Sequence, residues 1–151
     1  MSSQEYVYYG YGFSVEHLTN IDLVKEILIN SFKDEELKKM VKETKAENMY
    51  DLFEDIEVEH LMSEAISMFI ADWMTENKEI NPKGIRFEGY ASDSGCDTEE
   101  TVMFPISYPW CYTSEERCLS KDELHQILCK FANLFGVDEE YIDYQELHYY
   151  G

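Results

Sequence analysis

A chain of 151 residues with 44% hydrophobic and 15% aromatic residues has enough core-forming side chains for one globular domain, taken as residues 1–151. Its 32 acidic residues outnumber the 12 basic ones and give a formal net charge of −20. Such a field repels nucleic acid and anionic membranes and attracts basic protein surfaces. Direct binding to nucleic acid or to membranes is therefore excluded from the expected functions.

The expected compartment is the cytoplasm, or the host-cell cytoplasm if the chain is phage-encoded. The first 20 residues contain no Lys or Arg and no unbroken apolar run, unlike a secretory signal. No stretch reaches the ~20 apolar residues of a membrane helix. We therefore expect the four cysteines to be reduced thiols.

The beginning of the chain predicts one strand followed by two helices. The Tyr and Val content of Glu5–Ser14 is typical of a strand. Thr19 or Asn20 caps a helix over residues 21–32, where apolar side chains recur every three or four positions. Asp34 begins a second helix in which acids precede lysines, as the helix dipole favours.

Residues 57–76 predict the longest helix and the centre of the core. A helix of this length spans ~30 Å, enough to cross the domain. Its apolar stripe at helical spacing consists of Val58, Leu61, Met62, Ala65, Ile66, Phe69, Ile70, Trp73 and Met74.

A hairpin and another helix are predicted next. Residues 85–91 and 101–108 have strand character and are separated by the polar sequence "SDSGCDTEE", which predicts a long hairpin loop. Pro105 indicates that the second strand lies at a sheet edge or carries a bulge. A capping box at Ser120 starts a helix over residues 120–135 that ends at a C-cap glycine.

Residues 141–151 predict the last strand, which completes the order β-α-α-α-β-β-α-β. This order is typical of an α+β domain with an antiparallel or mixed sheet of about four strands and helices packed on it. The two Tyr-rich terminal strands are expected to lie side by side.

The opening sequence "YVYYGYGF" raises the question of a base-stacking platform. Stacked bases require a positive groove to hold the nucleic-acid backbone, and the first basic residue after this segment is Lys25. We therefore interpret the segment as a sheet strand. Gly10 and Gly12 leave one of its faces bare, where the core helix or the Tyr-rich tail is expected to pack closely.

The acids are unevenly distributed, which bears directly on function. Residues 46–77 contain nine acids and no Lys or Arg, residues 87–116 contain seven acids and no base, and five acids follow Lys130. Local salt bridges therefore cannot neutralise these segments, and a strong negative surface field is expected.

Two interpretations of this field are open. One is a solvated acidic surface that keeps the protein soluble, in a domain of otherwise generic role. The other is a non-enzymatic inhibitor that offers carboxylates where a partner expects phosphates, as do acidic nuclease inhibitors, nuclease-toxin immunity proteins and phage anti-restriction or anti-CRISPR proteins. We favour this DNA-mimic-like interpretation, in which the partner is a nuclease or another nucleic-acid-binding protein.

The expected partner-binding residues fall into two groups of acids that would pair with Lys or Arg. The groups are the acids near the start of the predicted core helix, Glu47, Asp51, Glu54, Asp55, Glu57 and Glu59, and those of the hairpin loop, Asp93, Asp97, Glu99 and Glu100.

A zinc-supported structural or regulatory domain is the main alternative. Cys111, Cys118, His125 and Cys129 form a C-x6-C-x6-H-x3-C pattern, in which the last two residues are one helical turn apart. The first pair is spaced more widely than a zinc knuckle requires, so no cofactor is the primary expectation. The hairpin acids do not match an EF-hand calcium loop, because Gly95 stands where a ligand is needed.

An enzyme is not expected. The sequence contains no P-loop, no dinucleotide-binding glycine motif, no nucleophile elbow and no H-E-x-x-H motif. A Cys–His nucleophile pair would need only proximity in the fold, and the sequence gives no sign of which residues would form it.

Overall fold

The structure, a computed structural model, describes residues 5–56, 66–94, 97–107 and 112–150. Within these ranges four strands form one antiparallel sheet and six helices accompany it, which confirms the predicted α+β class and element order. The strands are β1 (Glu5–Ser14), β2 (Glu88–Ser94), β3 (Asp97–Pro105) and β4 (Asp143–Tyr150). The helices are α1 (Ile21–Ser31), α2 (Glu35–Glu43), α3 (Met49–Ile56), α4 (Ile66–Glu76), α5 (Ser114–Cys118) and α6 (Lys121–Phe135).

The helix boundaries follow the signals in the sequence. The Asn20 side chain accepts a hydrogen bond from the Leu23 N–H at 3.3 Å and so caps α1, while Asp34 and Ser120 cap α2 and α6 in the same manner. Gly136 adopts the left-handed conformation, with φ of 70°, and ends α6 as predicted.

The sheet has the strand order β2-β3-β1-β4, and every neighbouring pair is antiparallel. The terminal strands pair along their length from Glu5↔Tyr150 to Gly12↔Asp143, so the expected pairing of the two Tyr-rich segments is confirmed. β3 lies between β2 and β1, so the edge position expected from Pro105 is wrong. Pro105 is tolerated because the pairing of β3 with β2 ends at Met103, so no β2 carbonyl needs an N–H donor at position 105.

The hairpin between β2 and β3 is tighter than predicted. Its register continues through Ser92↔Glu99 and Asp93↔Thr98 to Ser94↔Asp97, so most of the expected polar loop belongs to the strands. The connection reduces to residues 95 and 96, which lie outside the described residues. The long-loop prediction failed because backbone pairing with β3 outweighs the weak strand propensity of these polar residues.

The predicted core helix is described in part. α4 contains its C-terminal half, where Ile66, Ile70 and Met74 are buried. A separate helix, α3, precedes it, and the predicted helical positions 57–65, including Val58, Leu61, Met62 and Ala65, lie outside the described residues. Among the described helices, none is long and apolar enough to cross a membrane.

The main core forms between one face of the sheet and the helices. Phe13 of β1 lies against Phe135 of α6, with ring centroids 6.4 Å apart. Trp73 of α4 meets Phe135 edge-on at 5.5 Å, and Phe87 meets Phe131 at 5.9 Å. These rings fix α4 and α6 relative to each other and to the sheet.

The opposite face of the sheet is closed by curling of the sheet itself. Tyr8 of β1 and Tyr90 of β2 stack with centroids 4.3 Å apart although β3 separates their strands, and the edge strands β2 and β4 also contact each other. Met103 and Leu147 are thereby buried on this face. The Met103 side chain lies where a β-carbon on Gly10 would stand. The β1 face left bare by Gly10 and Gly12 is therefore covered closely by β3 and not, as expected, by the core helix.

Candidate functional site

The predicted acids at the start of the core helix lie on and next to α3. Glu47, Asp51, Glu54 and Asp55 are all exposed. Two of them also serve the local structure, because the Asn48 Nδ2 donates to the Asp51 carboxylate at 3.1 Å and the Thr44 hydroxyl donates to Asp55. The remaining predicted residues of this group, Glu57 and Glu59, lie outside the described residues.

The predicted hairpin acids do not share one environment. Asp93 lies in β2, and Asp97 and Glu99 lie in β3, close to the hairpin connection. Glu100 is only 7% exposed, so its assignment as a partner-contact residue is wrong. It projects to the helix-covered face of β3, where its carboxylate accepts a hydrogen bond from the Ser67 N–H at 3.0 Å.

A groove between α1 and α4 is a candidate site that the sequence did not reveal. Its volume is about 560 Å³, within the size range of ligand sites. Its apolar floor is formed by Leu23, Ile27, Phe69 and Trp73. The remaining lining residues are Glu26, Asn30, Ser31, Asp72 and Glu76.

The aromatic floor of the groove is held by the core beneath it. Trp73 is half-buried and packs edge-on against Phe131 and Phe135, with centroids 6.1 and 5.5 Å apart. Phe69 is held in the same way by Phe32, at 5.2 Å and an interplanar angle of 85°. The groove therefore presents a pre-positioned aromatic surface.

The charge of the groove has one sign. Glu26, Asp72 and Glu76 are its charged lining residues, all three are exposed, and none forms an ion pair with another residue of the described ranges. The last turns of α1 and α4 contain no basic residue, so the negative ends of both helix dipoles add to the field. The groove is suited to a cation lying over an apolar surface.

Two of these acids lower the stability of the helix that carries them. Asp72 and Glu76 are four residues apart on α4, so their carboxylates face each other along one side. A like-charge pair at this spacing destabilises a helix by about 0.2–0.5 kcal/mol. Helix stability therefore does not explain why both positions are acidic.

A second cluster joins α6 to the 3-10 turn Glu139–Tyr141. The ligand atoms of His125, Cys129 and Glu139 all lie within 4.8 Å of one another, and we name this set the His–Cys–Glu cluster. His125 Nε2 is 2.9 Å from a Glu139 carboxylate oxygen, and its Nδ1 is 2.8 Å from the Tyr11 hydroxyl oxygen. The hydrogen bond to His125 lowers the pKa of Glu139.

The zinc set predicted from the sequence is only partly assembled. His125 and Cys129 come together as expected for residues one helical turn apart. Among the described residues, Cys118 is exposed and does not belong to the cluster, which corrects its assignment as a ligand. Cys118 lies at the end of α5, and Cys111 lies outside the described residues.

Cys129 lies in surroundings that oppose nucleophilic catalysis. Burial raises the pKa of its thiol, and the charge of Glu139 and a hydrogen bond to it act in the same direction. A reactive cysteine needs the opposite, a lowered pKa that provides thiolate near neutral pH.

An aromatic cleft of about 620 Å³ opens where the sheet meets α5 and α6. Tyr11 and Tyr144 contact each other edge-on within it, at 5.1 Å, and the Lys121 ammonium lies 4.9 Å from the centre of the Tyr144 ring. Glu116 also lines the cleft, but its carboxylate accepts hydrogen bonds from the Ser107 hydroxyl at 2.7 and 2.9 Å. This cleft is mainly apolar and lacks the one-sided charge of the helical groove.

Comparisons with known proteins add no assignment to these sites. No protein-family model, no curated protein and no solved structure matches the chain.

Proposed function

We propose that the protein is a non-catalytic acidic binding protein whose groove between α1 and α4 receives a basic segment of a partner protein. The observation that carries this proposal is the groove itself, an apolar aromatic floor beneath a rim whose charged side chains are all acids. The partner is a nuclease or another nucleic-acid-binding protein, and the binding blocks its basic surface.

The groove fits Lys and Arg side chains for two reasons. Glu26, Asp72 and Glu76 supply carboxylates that can pair with ammonium or guanidinium groups. The half-buried Trp73 supplies a ring over which a guanidinium or the apolar stem of either side chain can lie. A basic amphipathic segment satisfies both the rim and the floor.

The net charge of −20 supports the proposal at longer range. This charge attracts basic partner surfaces, which are the same surfaces that nucleic acid attracts. The protein therefore competes with nucleic acid for its partner. The exposed acids Glu47, Asp51, Glu54 and Asp55 contribute to this field, and we propose them as a secondary contact region.

The test compares two charge reversals of equal size. One variant carries Glu26→Lys, Asp72→Lys and Glu76→Lys in the groove. The other carries Asp51→Lys, Glu54→Lys and Asp55→Lys on α3. The probe is a fluorescein-labelled synthetic peptide of Lys, Arg and Leu with an amphipathic helical pattern, followed by fluorescence anisotropy, and circular dichroism checks that both variants are folded.

We expect the groove variant to lose far more affinity than the α3 variant. Exposed ion pairs contribute about 0.2–1 kcal/mol each, so the loss of three of them should weaken binding by about 3- to 150-fold. A folded groove variant that binds as well as the α3 variant would contradict the groove assignment. Duplex DNA added to the complex should displace the protein from the peptide, since both compete for the same basic groups.

A further inference from the structure

We propose that the His–Cys–Glu cluster binds one zinc ion through His125 Nε2, the Cys129 thiolate and the Glu139 carboxylate, with water in the fourth position. This site is independent of the groove and of the proposed partner binding. It differs from the zinc set expected from the sequence in using Glu139 and in omitting Cys118.

The three ligand types form a donor set that zinc prefers. Zinc accepts imidazole nitrogen, thiolate sulfur and carboxylate oxygen at bond lengths of about 2.0–2.3 Å, which in a tetrahedron places ligand atoms roughly 3.5 Å apart. The ligand atoms here lie within 4.8 Å of one another. The Glu139 side chain is 72% exposed, so it can rotate to adjust the position of its carboxylate relative to the ion.

The backbone positions of the ligands are already fixed. His125 and Cys129 lie one turn apart on α6, whose other face is buried in the core through Leu124, Leu128 and Phe131. Gly136 ends the helix, and the chain then turns so that Glu139 returns beside it. The metal would therefore join α6 to the segment that leads into β4.

Tyr11 has the role of a positioning residue for this site. Its hydroxyl lies 2.8 Å from His125 Nδ1, on the side of the ring away from Glu139. A ligating histidine usually makes such a hydrogen bond through its other nitrogen, which fixes the ring orientation. A hydroxyl can either donate or accept, so Tyr11 accommodates the ring proton on Nδ1 when zinc occupies Nε2.

Two of the three ligands would carry negative charge when bound to the ion, the Cys129 thiolate and the Glu139 carboxylate. Zinc binding would replace the thiol proton, which leaves to solvent as the sulfur–zinc bond forms. The ion would then neutralise the thiolate and the carboxylate together.

The test uses the full chain and cobalt(II), which substitutes for zinc and is visible spectroscopically. Cobalt is titrated in excess magnesium, so that exposed carboxylate sites selective for hard cations are already filled. We expect a thiolate-to-cobalt charge-transfer band and tetrahedral visible bands that saturate at one equivalent and disappear when zinc is added.

Variants assign the ligands. Cys129→Ser should abolish the charge-transfer band, and Glu139→Gln should lower the cobalt affinity, whereas Cys118→Ser serves as the matched cysteine control and should leave the spectrum unchanged. Tyr11→Phe should weaken cobalt binding about 10- to 100-fold while keeping the band, as expected of a positioning residue. The proposal is overturned if the full chain gives no band, if Cys129→Ser retains it, or if Cys118→Ser removes it.

Discussion

The Glu100 carboxylate accepts a hydrogen bond from the Ser67 N–H at 3.0 Å, which joins the middle of β3 to the first described turn of α4. Close approach makes this contact possible, since Gly89 of the neighbouring β2 lies directly against the Ser67 backbone and has no β-carbon to obstruct it. An acid expected on the surface thus contributes to attaching α4 to the sheet.

Glu100 gives the first prediction, which concerns pH. Burial raises the pKa of Glu100, although hydrogen bonds from the Ser67 and Ile66 backbones act in the opposite direction. The folded-state pKa of Glu100 therefore lies above the unfolded value of about 4.3. The contribution of Glu100 to stability is complete below the unfolded pKa, and it is lost as pH rises through the folded-state pKa.

Glu100→Gln should therefore become more stable relative to the wild type as pH rises through this window. Denaturant unfolding across the pH range measures the difference in free energy of unfolding, which should grow by about 1.4 kcal/mol per unit of pKa difference and then level off. Glu54→Gln, at an exposed position, controls for the loss of one negative charge. A difference for Glu100→Gln that stays constant or shrinks with rising pH would contradict this account.

The second prediction concerns the glycines of β1. A β-carbon on Gly12 would collide with the backbone carbonyl of Val102 and the Met103 Cα, neither of which can move without breaking the strand pairing. Gly12→Ala should lower the free energy of unfolding by about 1–3 kcal/mol. Gly10→Ala is the comparison, and it should cost less, because its nearest neighbour is the flexible Met103 side chain and its one backbone clash, with the Phe104 carbonyl oxygen at 2.7 Å, is less severe than that of Gly12. Equal stability of Gly12→Ala and wild type would refute the close packing of β1 on β3.

The third prediction separates binding from stability in the groove. Replacing Asp72 with Asn and Glu76 with Gln removes a like-charge pair from α4, so the free energy of unfolding should rise by about 0.2–0.5 kcal/mol while affinity for the basic peptide falls. Glu43→Gln is the control, since it removes an opposite-charge pair with Lys39 on α2 and should lower stability slightly. A groove double variant that is less stable than wild type would indicate a structural role for these acids.

The fourth prediction concerns ionic strength. Raising the salt concentration from about 0.01 M to about 0.1 M shortens the screening length from about 30 Å to about 10 Å, so affinity for the basic peptide should fall steeply. The groove charge-reversal variant should show a flatter dependence of log affinity on log salt. An affinity of the wild type that does not change with salt would rule out recognition by charge.

The sequence predicted the element order because its helices have strong apolar periodicity and clear caps, as at Asn20, Ser120 and Gly136. The β2–β3 hairpin was predicted less well, since its polar residues lack strand character and are paired only through the sheet. The Gly95–Cys96 dipeptide fits the Gly-X pattern of two-residue hairpin connections and was the available signal.

The candidate sites were less predictable than the fold. Glu26 and Asp72 line the same groove although 46 positions separate them, and only the packing of α1 on α4 brings them together. Glu139 follows His125 by 14 positions across a helix end, a spacing that matches no familiar metal motif. The uneven distribution of acids indicated the sign of the field but not which surface has an apolar floor.

Trp73 emission provides the most direct test of the central claim, that the α1–α4 groove receives a basic segment. The chain has two tryptophans, so Trp110→Phe leaves Trp73 as the single reporter within the groove. Titration with the Lys/Arg/Leu peptide should shift and saturate Trp73 emission at one equivalent, and a peptide with Gln in place of Lys and Arg should have no effect. Saturable binding by anisotropy with unchanged Trp73 emission would contradict the account, because the basic segment would then lie elsewhere on the protein.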